Sequence, residues 1–283
     1  MLYSPTYFLK QKAGSKRSAR KILPIVIHLI KPSSIIDVGC GLGCWLSVAM
    51  DYGIKKCLGI DGEWVDKNML EIPLQNFQVH DLRKPLTLEE RFDLCICLEV
   101  AEHIPFKYSK TLVDSLTDLS PVILFSAAIP LQGGEGHENE QWPDYWTSLF
   151  EKKGYIVVDC IRDKIWMDKD VEWWYAQNCL LFVHSEFLGN ISRKIKVKHF
   201  KNKKDLVKIH PKYWPNDPRF LIKKATILLK LYPALYAKIL KSILLALVVK
   251  IIFFTGHCIK KIAMSMVKKY VLLKRAWKRR LYG

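Results

Sequence analysis

The chain has 283 residues, enough to bury a large core and to hold one domain plus an appendage. It carries 45 Lys and Arg against 27 Asp and Glu, a net +18, but 25 of those cations and only two acids, Asp205 and Asp217, lie in residues 191–283. Residues 1–190 are mildly acidic at −5, which argues against a nucleic-acid binder with charge spread over its whole surface and divides the chain into 1–190 and 191–283.

The opening residues, Met-Leu-Tyr-Ser-Pro-Thr-Tyr-Phe8, lack the charged start and apolar core of a secretory signal. The eight cysteines form no C-x-x-C pair and no framework of a small secreted domain, so reduced thiols in a cytoplasmic enzyme are expected and no metal site is assigned. A polar, basic stretch over residues 11–21 leads into a short helix over 22–30, closed by Lys31-Pro32.

Compact apolar runs follow: Ser34-Ile-Ile-Asp-Val38, Cys57-Leu-Gly-Ile-Asp61, Phe77-Gln-Val-His-Asp81, Phe92-Asp-Leu-Cys-Ile-Cys-Leu98 and Pro121-Val-Ile-Leu-Phe-Ser126. Helix-length segments such as 45–52 and 109–119 separate several of them, and runs at 155–161 and 178–183 supply closing strands. Strands alternating with helices predict an α/β domain with a parallel sheet and right-handed crossovers. The texture changes near residue 190, where a domain boundary is placed.

Asp37-Val-Gly39-Cys-Gly41-Leu-Gly43 follows a predicted strand and precedes a predicted helix, the setting in which a glycine turn lets a small molecule approach the backbone. A tight strand-to-helix turn without a ligand is the plain alternative. Asp61 ends the next strand, 20 positions after Gly41, where an acid can accept from both hydroxyls of a ribose. Asp37 places negative charge where a pyrophosphate would want an uncompensated helix N-terminus. That charge suits the ammonium and sulfonium of S-adenosylmethionine, and Cys44 in the third-glycine slot also weakens the dinucleotide reading. Asp81, ending the third strand, is placed to accept from an adenine amino group or to cap a surface turn ahead of Lys84-Pro85.

The set Ile-Ile-Asp37-Val-Gly-Cys-Gly41, Gly59-Ile-Asp61-Gly, His80-Asp81-Leu and Phe92-Asp-Leu-Cys-Ile-Cys-Leu-Glu99-Val-Ala-Glu102-His103-Ile-Pro resembles the successive motifs of class I S-adenosylmethionine-dependent methyltransferases. The resemblance runs from about residue 18 to 183 in order and spacing. It implies a Rossmann-like, seven-stranded, mostly parallel sheet with one antiparallel strand and helices on both faces. It further implies S-adenosylmethionine as cofactor, with Gly39 and Gly41 against its methionine portion and Asp61 on the ribose. Asp81 and Leu82 would then hold the adenine, with Leu98-Glu99 as the wall beside the sulfonium.

A hydroxyl acceptor calls for a nearby base, and two histidines are candidates. His103 follows the fourth strand and either takes part in catalysis or packs and orients its loop. His137 lies in Gly133-Gly-Glu-Gly-His137-Glu-Asn139-Glu-Gln141-Trp142-Pro143, a loop whose amides, imidazole and aromatic ring suit a polyhydroxylated ligand. Glu172-Trp-Trp-Tyr175-Ala-Gln177-Asn178 adds an aromatic cluster that belongs either to the site or to the core. This half is similar to bacterial methyltransferases met among sugar and cell-surface polysaccharide enzymes. The shared features are Gly14 to Ala19, Phe125-Ser-Ala-Ala-Ile-Pro130, Asn139-Glu-Gln-Trp-Pro-Asp-Tyr-Trp146 and the Glu172 segment. The resemblance implies O-methylation of a sugar, glycan or glycolipid precursor.

In the tail, Lys223, Lys230, Lys238 and Lys241 fall within about 80° on a helical wheel, with apolar residues opposite and a kink at Pro233. Residues 242–259 hold eleven Leu, Ile, Val and Phe, offering about −5 kcal/mol for insertion against about +2.5 to +3.5 for the central Lys250. Helices lying on an anionic membrane surface through residues 220–283 are expected, placing the protein on the inner face of the membrane, with a helical bundle packed on the enzyme or on a partner as the plain alternative. The apolar content argues against a nucleic-acid arm. Two other readings stay open, an RNA or protein methyltransferase using the tail to capture substrate and a cofactor-binding module without catalysis.

Overall fold

A computed structural model describes residues 5–189 and 203–213, with isolated positions 224, 226, 227, 242 and 245. The chain divides into two compact units, Met1–Lys208 and Ile209–Gly283. In the second, the Ser242 hydroxyl donates to the Ile209 carbonyl at 2.9 Å, and Lys224 Nζ sits 3.6 Å from the centre of the Tyr213 ring. Most of the expected amphipathic tail lies outside the described residues, and among the described ones no helix is long and apolar enough to cross a membrane.

The first unit is built on a seven-stranded sheet. Its elements are α1 (Pro5–Ile30), β1 (Ser34–Val38), α2 (Cys44–Asp51), β2 (Lys56–Asp61), β3 (Phe77–Val79), β4 (Leu94–Leu98), α3 (Ser109–Leu119), β5 (Val122–Ser126), α4 (Pro143–Glu151), β6 (Tyr155–Val158), α5 (Arg162–Ile165), α6 (Trp173–Asn178) and β7 (Leu180–His184). The spatial order is β3-β2-β1-β4-β5-β7-β6. Neighbours from β3 through β5 pair in parallel, whereas β7 runs antiparallel to both β5 and β6, so the sheet is mixed.

The unbroken apolar runs at β1, β4 and β5 are explained by burial on both faces of a sheet. Successive residues serve opposite layers. Ile35, Leu94, Ile96 and Leu124 pack with α1, α2 and α6, while Ile36, Cys95, Cys97, Ile123 and Phe125 pack with α3 and α4. A slip of one residue in any of these strands would exchange the two sets.

The first helix departs from expectation. It spans Pro5–Ile30 rather than 22–30 and absorbs the basic stretch at 11–21. Ala19, Ile22, Leu23, Val26 and Leu29 form one buried stripe at helical spacing, which carries the helix through Pro24 despite the lost backbone donor. Gly14 permits close packing, since a Cβ there would lie 2.6 Å from Glu172 Oε1. The Ser18 hydroxyl, donating to Gly14 O and accepting from Glu172 N, ties this helix to the start of α6. As expected, the helix stops at Lys31, whose φ of 53° cannot continue it.

The strand direction reverses its order of addition at β1 and β4: β2 and β3 build outward from one, β5 from the other. Ligands of open α/β sheets sit beyond the carboxyl ends of the strands at such a switch point. The loops that follow β1 and β4, carrying Gly39–Gly43 and Glu99–His103, therefore face one another there.

Candidate functional site

A cleft of about 490 Å³ opens at this point, a size suited to a small ligand. Every residue singled out from the sequence for the cofactor lines it, Asp37, Gly39, Gly41, Asp61, Asp81, Leu82 and Glu99 alike, as do His103 and His137.

The glycine turn is shaped by positive φ, +82° at Gly39 and +53° at Gly41. At Gly39 a side chain is excluded twice, because its Cβ would also lie 2.3 Å from Val100 Cγ2. Backbone N–H groups of Gly39 and Cys40 donate to the Ile60 carbonyl at 2.7 and 3.1 Å, fixing the turn to the end of β2. Gly41 N–H donates to Asp61 Oδ2 and Gly62 N–H to Asp61 Oδ1, each at 2.7 Å. Burial pushes Asp61 up, while those two bonds and one from the Trp64 indole oppose the rise.

Asp37 is different. It is 2% exposed, and its Oδ2 has no hydrogen-bond partner. Burial, and then the charge of Asp61, push its carboxyl well above the usual range. Leaving a buried carboxylate oxygen unpaired costs about 1–3 kcal/mol or more, so this wall of the cleft is matched to a cation. Asp81, beyond the end of β3, is gripped by Arg83 Nε at 2.8 Å and Nη2 at 2.9 Å, which hold it down at about 2. Both capping of a local turn and a place at the cleft wall thus fall to Asp81, whose Oδ1 also accepts from Arg83 N–H.

Glu99 has a φ of 55°, a left-handed conformation costly for a residue with a side chain. Its N–H is held by the carbonyl and hydroxyl of Ser126 at 3.0 and 3.1 Å. Asn178 Nδ2 and Gln132 Nε2 donate to its carboxylate at 3.1 and 3.2 Å, and Gln177 in turn donates to Gln132 Oε1. Gln177 and Asn178 are 1% and 4% exposed, so they position Glu99 rather than meet a ligand directly.

On the opposite side, His137 Nδ1 lies 2.9 Å from Glu140 Oε1, and His103 Nδ1 lies 3.3 Å from the Gly136 carbonyl. Burial and then His137 lower His103 to about 4, so it is neutral at physiological pH and a weak base there. Burial pushes Glu140 up, but the His137 bond and the N–H groups of Gly133 and Leu131 outweigh it and keep Glu140 ionised.

The loop after β5 is more structural than its composition suggests. Asn139 is 2% exposed and donates to Ser109 Oγ at 2.9 Å, Gln141 donates to Asn139, and Trp142 and Trp146 are buried. These residues do not reach the cleft; Trp146 instead packs 5.4 Å from Phe125 in the core. The aromatic walls come from Trp45, Trp64, Trp173, Trp174 and Tyr175. Trp64, Lys12, Ser15 and Glu102 line the cleft without having been singled out as site residues; only Glu-x-x-Glu-His at 99–103 hinted at Glu102.

A family model described as a methyltransferase domain matches residues 11–177, more than half of the chain. The chain belongs to this methyltransferase family. It is an S-adenosylmethionine-dependent methyltransferase, and the cleft lies within the matched span. No curated protein matches the sequence. Among solved structures it is similar to the methyltransferase domain of bacterial CtHen1-C, at 16% identity and a TM-score of 0.45, over 60% of this chain and 98% of that one. Magnesium protoporphyrin IX methyltransferase from Synechocystis PCC 6803 with bound SAH is similar at 16% identity and 0.44, over 65% and 90%. Human N-acetylserotonin methyltransferase in complex with SAM is similar at 18% and 0.43, over 59% and 51%.

Proposed function

We propose that this methyltransferase acts on a hydroxyl of a sugar, glycan or glycolipid precursor, with the acceptor seated between Glu99 and the His103–His137 side of the cleft. The observation that carries the reading is the His137–Glu140 pair. Glu140 only accepts, so Nδ1 of His137 is the donor in this pair, and in the neutral ring Nε2 is the nitrogen left to accept from a hydroxyl. Polar groups of Gln132, Glu135 and Glu138 and the rings of Trp173 and Trp174 line the same cleft, a mix that suits the hydroxyls and apolar faces of a sugar.

When bound, S-adenosylmethionine supplies an electrophilic methyl group. The residues present fit it: the unpartnered Asp37 Oδ2 meets the need of an ammonium group, and the glycine turn leaves room at the backbone. Asp61 retains lone pairs for ribose hydroxyls after serving Gly41 and Gly62. Asp81 and Leu82, which line the cleft, would hold the adenine, and Leu98 and Glu99 would form the wall beside the sulfonium. Methyl transfer is an in-line displacement, so these side chains act mainly by orientation. Their concentrated negative charge favours a positively charged reactant over its neutral thioether product.

Residues 220–283 are assigned to an anionic membrane surface on the inner face of the membrane, on the strength of their lysine stripe and apolar runs. Full-length protein floating with anionic but not neutral vesicles supports this, and failure to float with either removes it. For the reaction, purified protein is given glycan precursors and assayed for S-adenosylhomocysteine. Turnover lost in His137→Ala with cofactor binding retained supports the reading, and unchanged turnover ends the role of His137.

A further inference from the structure

Glu102 is the most deeply placed acid near the cleft, with 0% exposure. Its Oε1 accepts the Ala128 N–H at 3.1 Å, but its Oε2 has no partner. The main chain of the same residue latches the loop after β5, because the Glu102 carbonyl accepts the N–H groups of Glu138 and Asn139, both at 2.9 Å. That latch brings His137 against His103. As a result, ligand-capable atoms of Glu102, His103 and His137 all lie within 4.8 Å of one another.

The tautomers of both rings are set from outside this cluster. Glu140 Oε1 and the Gly136 carbonyl can only accept, so each Nδ1 is a donor, and in the neutral ring Nε2 is the nitrogen left for a metal. A carboxylate or carbonyl behind the far nitrogen is the usual support of a metal-bound imidazole, fixing its orientation and raising its basicity.

We propose that Glu102, His103 and His137, with Glu99 adjacent, form a site for a divalent transition-metal cation whose open positions take oxygens of the acceptor. Two imidazole nitrogens and a carboxylate make a donor set of intermediate softness, favouring Mn²⁺, Fe²⁺, Co²⁺ or Zn²⁺ over Ca²⁺. Ligand atoms around such an ion stand about 3.3 Å apart in a tetrahedral shell, so the cluster must draw in from its present spread. Gly133 and Gly136, with φ of 74° and 75°, give the loop bearing His137 a backbone that can follow.

The acceptor half of this inference rests on the hydroxyl reading above; the ion site does not. With the ion in place, the Nε2 lone pairs serve the metal, and the metal meets the acceptor oxygen. Chelator-treated full-length protein is titrated with Mn²⁺, followed by loss of the free-ion electron paramagnetic resonance signal. The expected result is about one Mn²⁺ per chain, with affinity falling at least roughly tenfold in His137→Ala and in Glu140→Gln. His137 and Glu140 lie on a surface loop, so their variants serve where Glu102→Gln fails to fold, and retained cofactor affinity confirms their integrity. No Mn²⁺ bound by the wild-type protein, or equal binding by the variants, overturns the site. Bound Mn²⁺ without turnover on any glycan precursor leaves the site standing and removes the hydroxyl reading instead.

Discussion

His103 and His137 stand edge to face with ring centroids 4.8 Å apart and planes at 88°, although they come from the ends of different strands. Each ring is steered by a group on the loop after β5, Gly136 for one and Glu140 for the other. Removing His137 is therefore expected to lower turnover by roughly 10²–10⁴ while cofactor affinity stays in place. Glu140→Gln, which keeps the shape but not the charge, should fall between wild type and His137→Ala. Steady-state kinetics paired with calorimetric titration of S-adenosylmethionine distinguish this from loss of the fold.

Asp37 predicts a pH dependence of cofactor binding. Its carboxyl holds a proton above the usual range in the ligand-free protein, and a bound ammonium favours the ionised form. Binding therefore releases a proton, and affinity rises with pH until Asp37 is ionised in the free protein. Asp37→Asn should flatten this dependence and weaken binding by tenfold or more, as expected for a charged hydrogen bond of about 1.5–3 kcal/mol. Calorimetry in buffers of different ionisation enthalpy reads the proton directly.

The same residue should trade stability for binding. An acid whose folded pKa is raised leaves the protein most stable below the unfolded value of about 4 and costs stability as pH rises toward the folded value. Ligand-free Asp37→Asn should lack that cost and melt higher near neutral pH, by about 2–4 °C for each kcal/mol recovered. A lower melting temperature in the variant contradicts this.

Gly39→Ala should fail for two separable reasons. The left-handed φ costs about 1–2 kcal/mol for a residue with a Cβ. Crowding against Val100 adds about 1–3 kcal/mol. Adding Val100→Ala is expected to restore the crowding share of stability but not the φ share, measured by denaturant unfolding.

Arg162 predicts the cost of unpairing a buried charge. It is 0% exposed, bonds Asp159 through two nitrogens at 3.0 and 2.6 Å, and donates to the carbonyls of Gln177 and Leu206. Arg162→Ala should cost about 3–5 kcal/mol. Burial pushes Asp159 up, but Arg162 outweighs it and holds the carboxyl low, so its contribution is present above the usual carboxylate pKa and lost as pH falls through the depressed value. The variant should lose part of the wild-type protein's acid-dependent destabilisation.

The strands were legible because residues buried on both faces leave continuous apolar runs, and the cleft because one glycine turn and three acids at the ends of successive strands line it. The length of α1 was hidden by Gly14, Pro24 and a basic surface, which mask a stripe visible only once Ala19 and Ile22 are seen against the sheet. The acceptor side was legible only in part. Trp142, Trp146 and Asn139 look like binding residues by type, yet burial turns them into support, and burial likewise hides Gln177 and Asn178 behind Glu99. The pairing of Glu102 and His103 with His137 depends on main-chain bonds between distant loops, for which side-chain spacing carries no signal.

The central claim is methyl transfer to a sugar hydroxyl. It is tested most directly by giving the full-length protein S-adenosylmethionine labelled in its methyl group together with glycan precursors, RNA and protein, and locating the label by mass spectrometry. A methyl ether on a sugar oxygen, absent with His137→Ala, is the predicted result. Label found only in RNA or protein, or no transfer to any sugar hydroxyl while the cofactor binds, contradicts it.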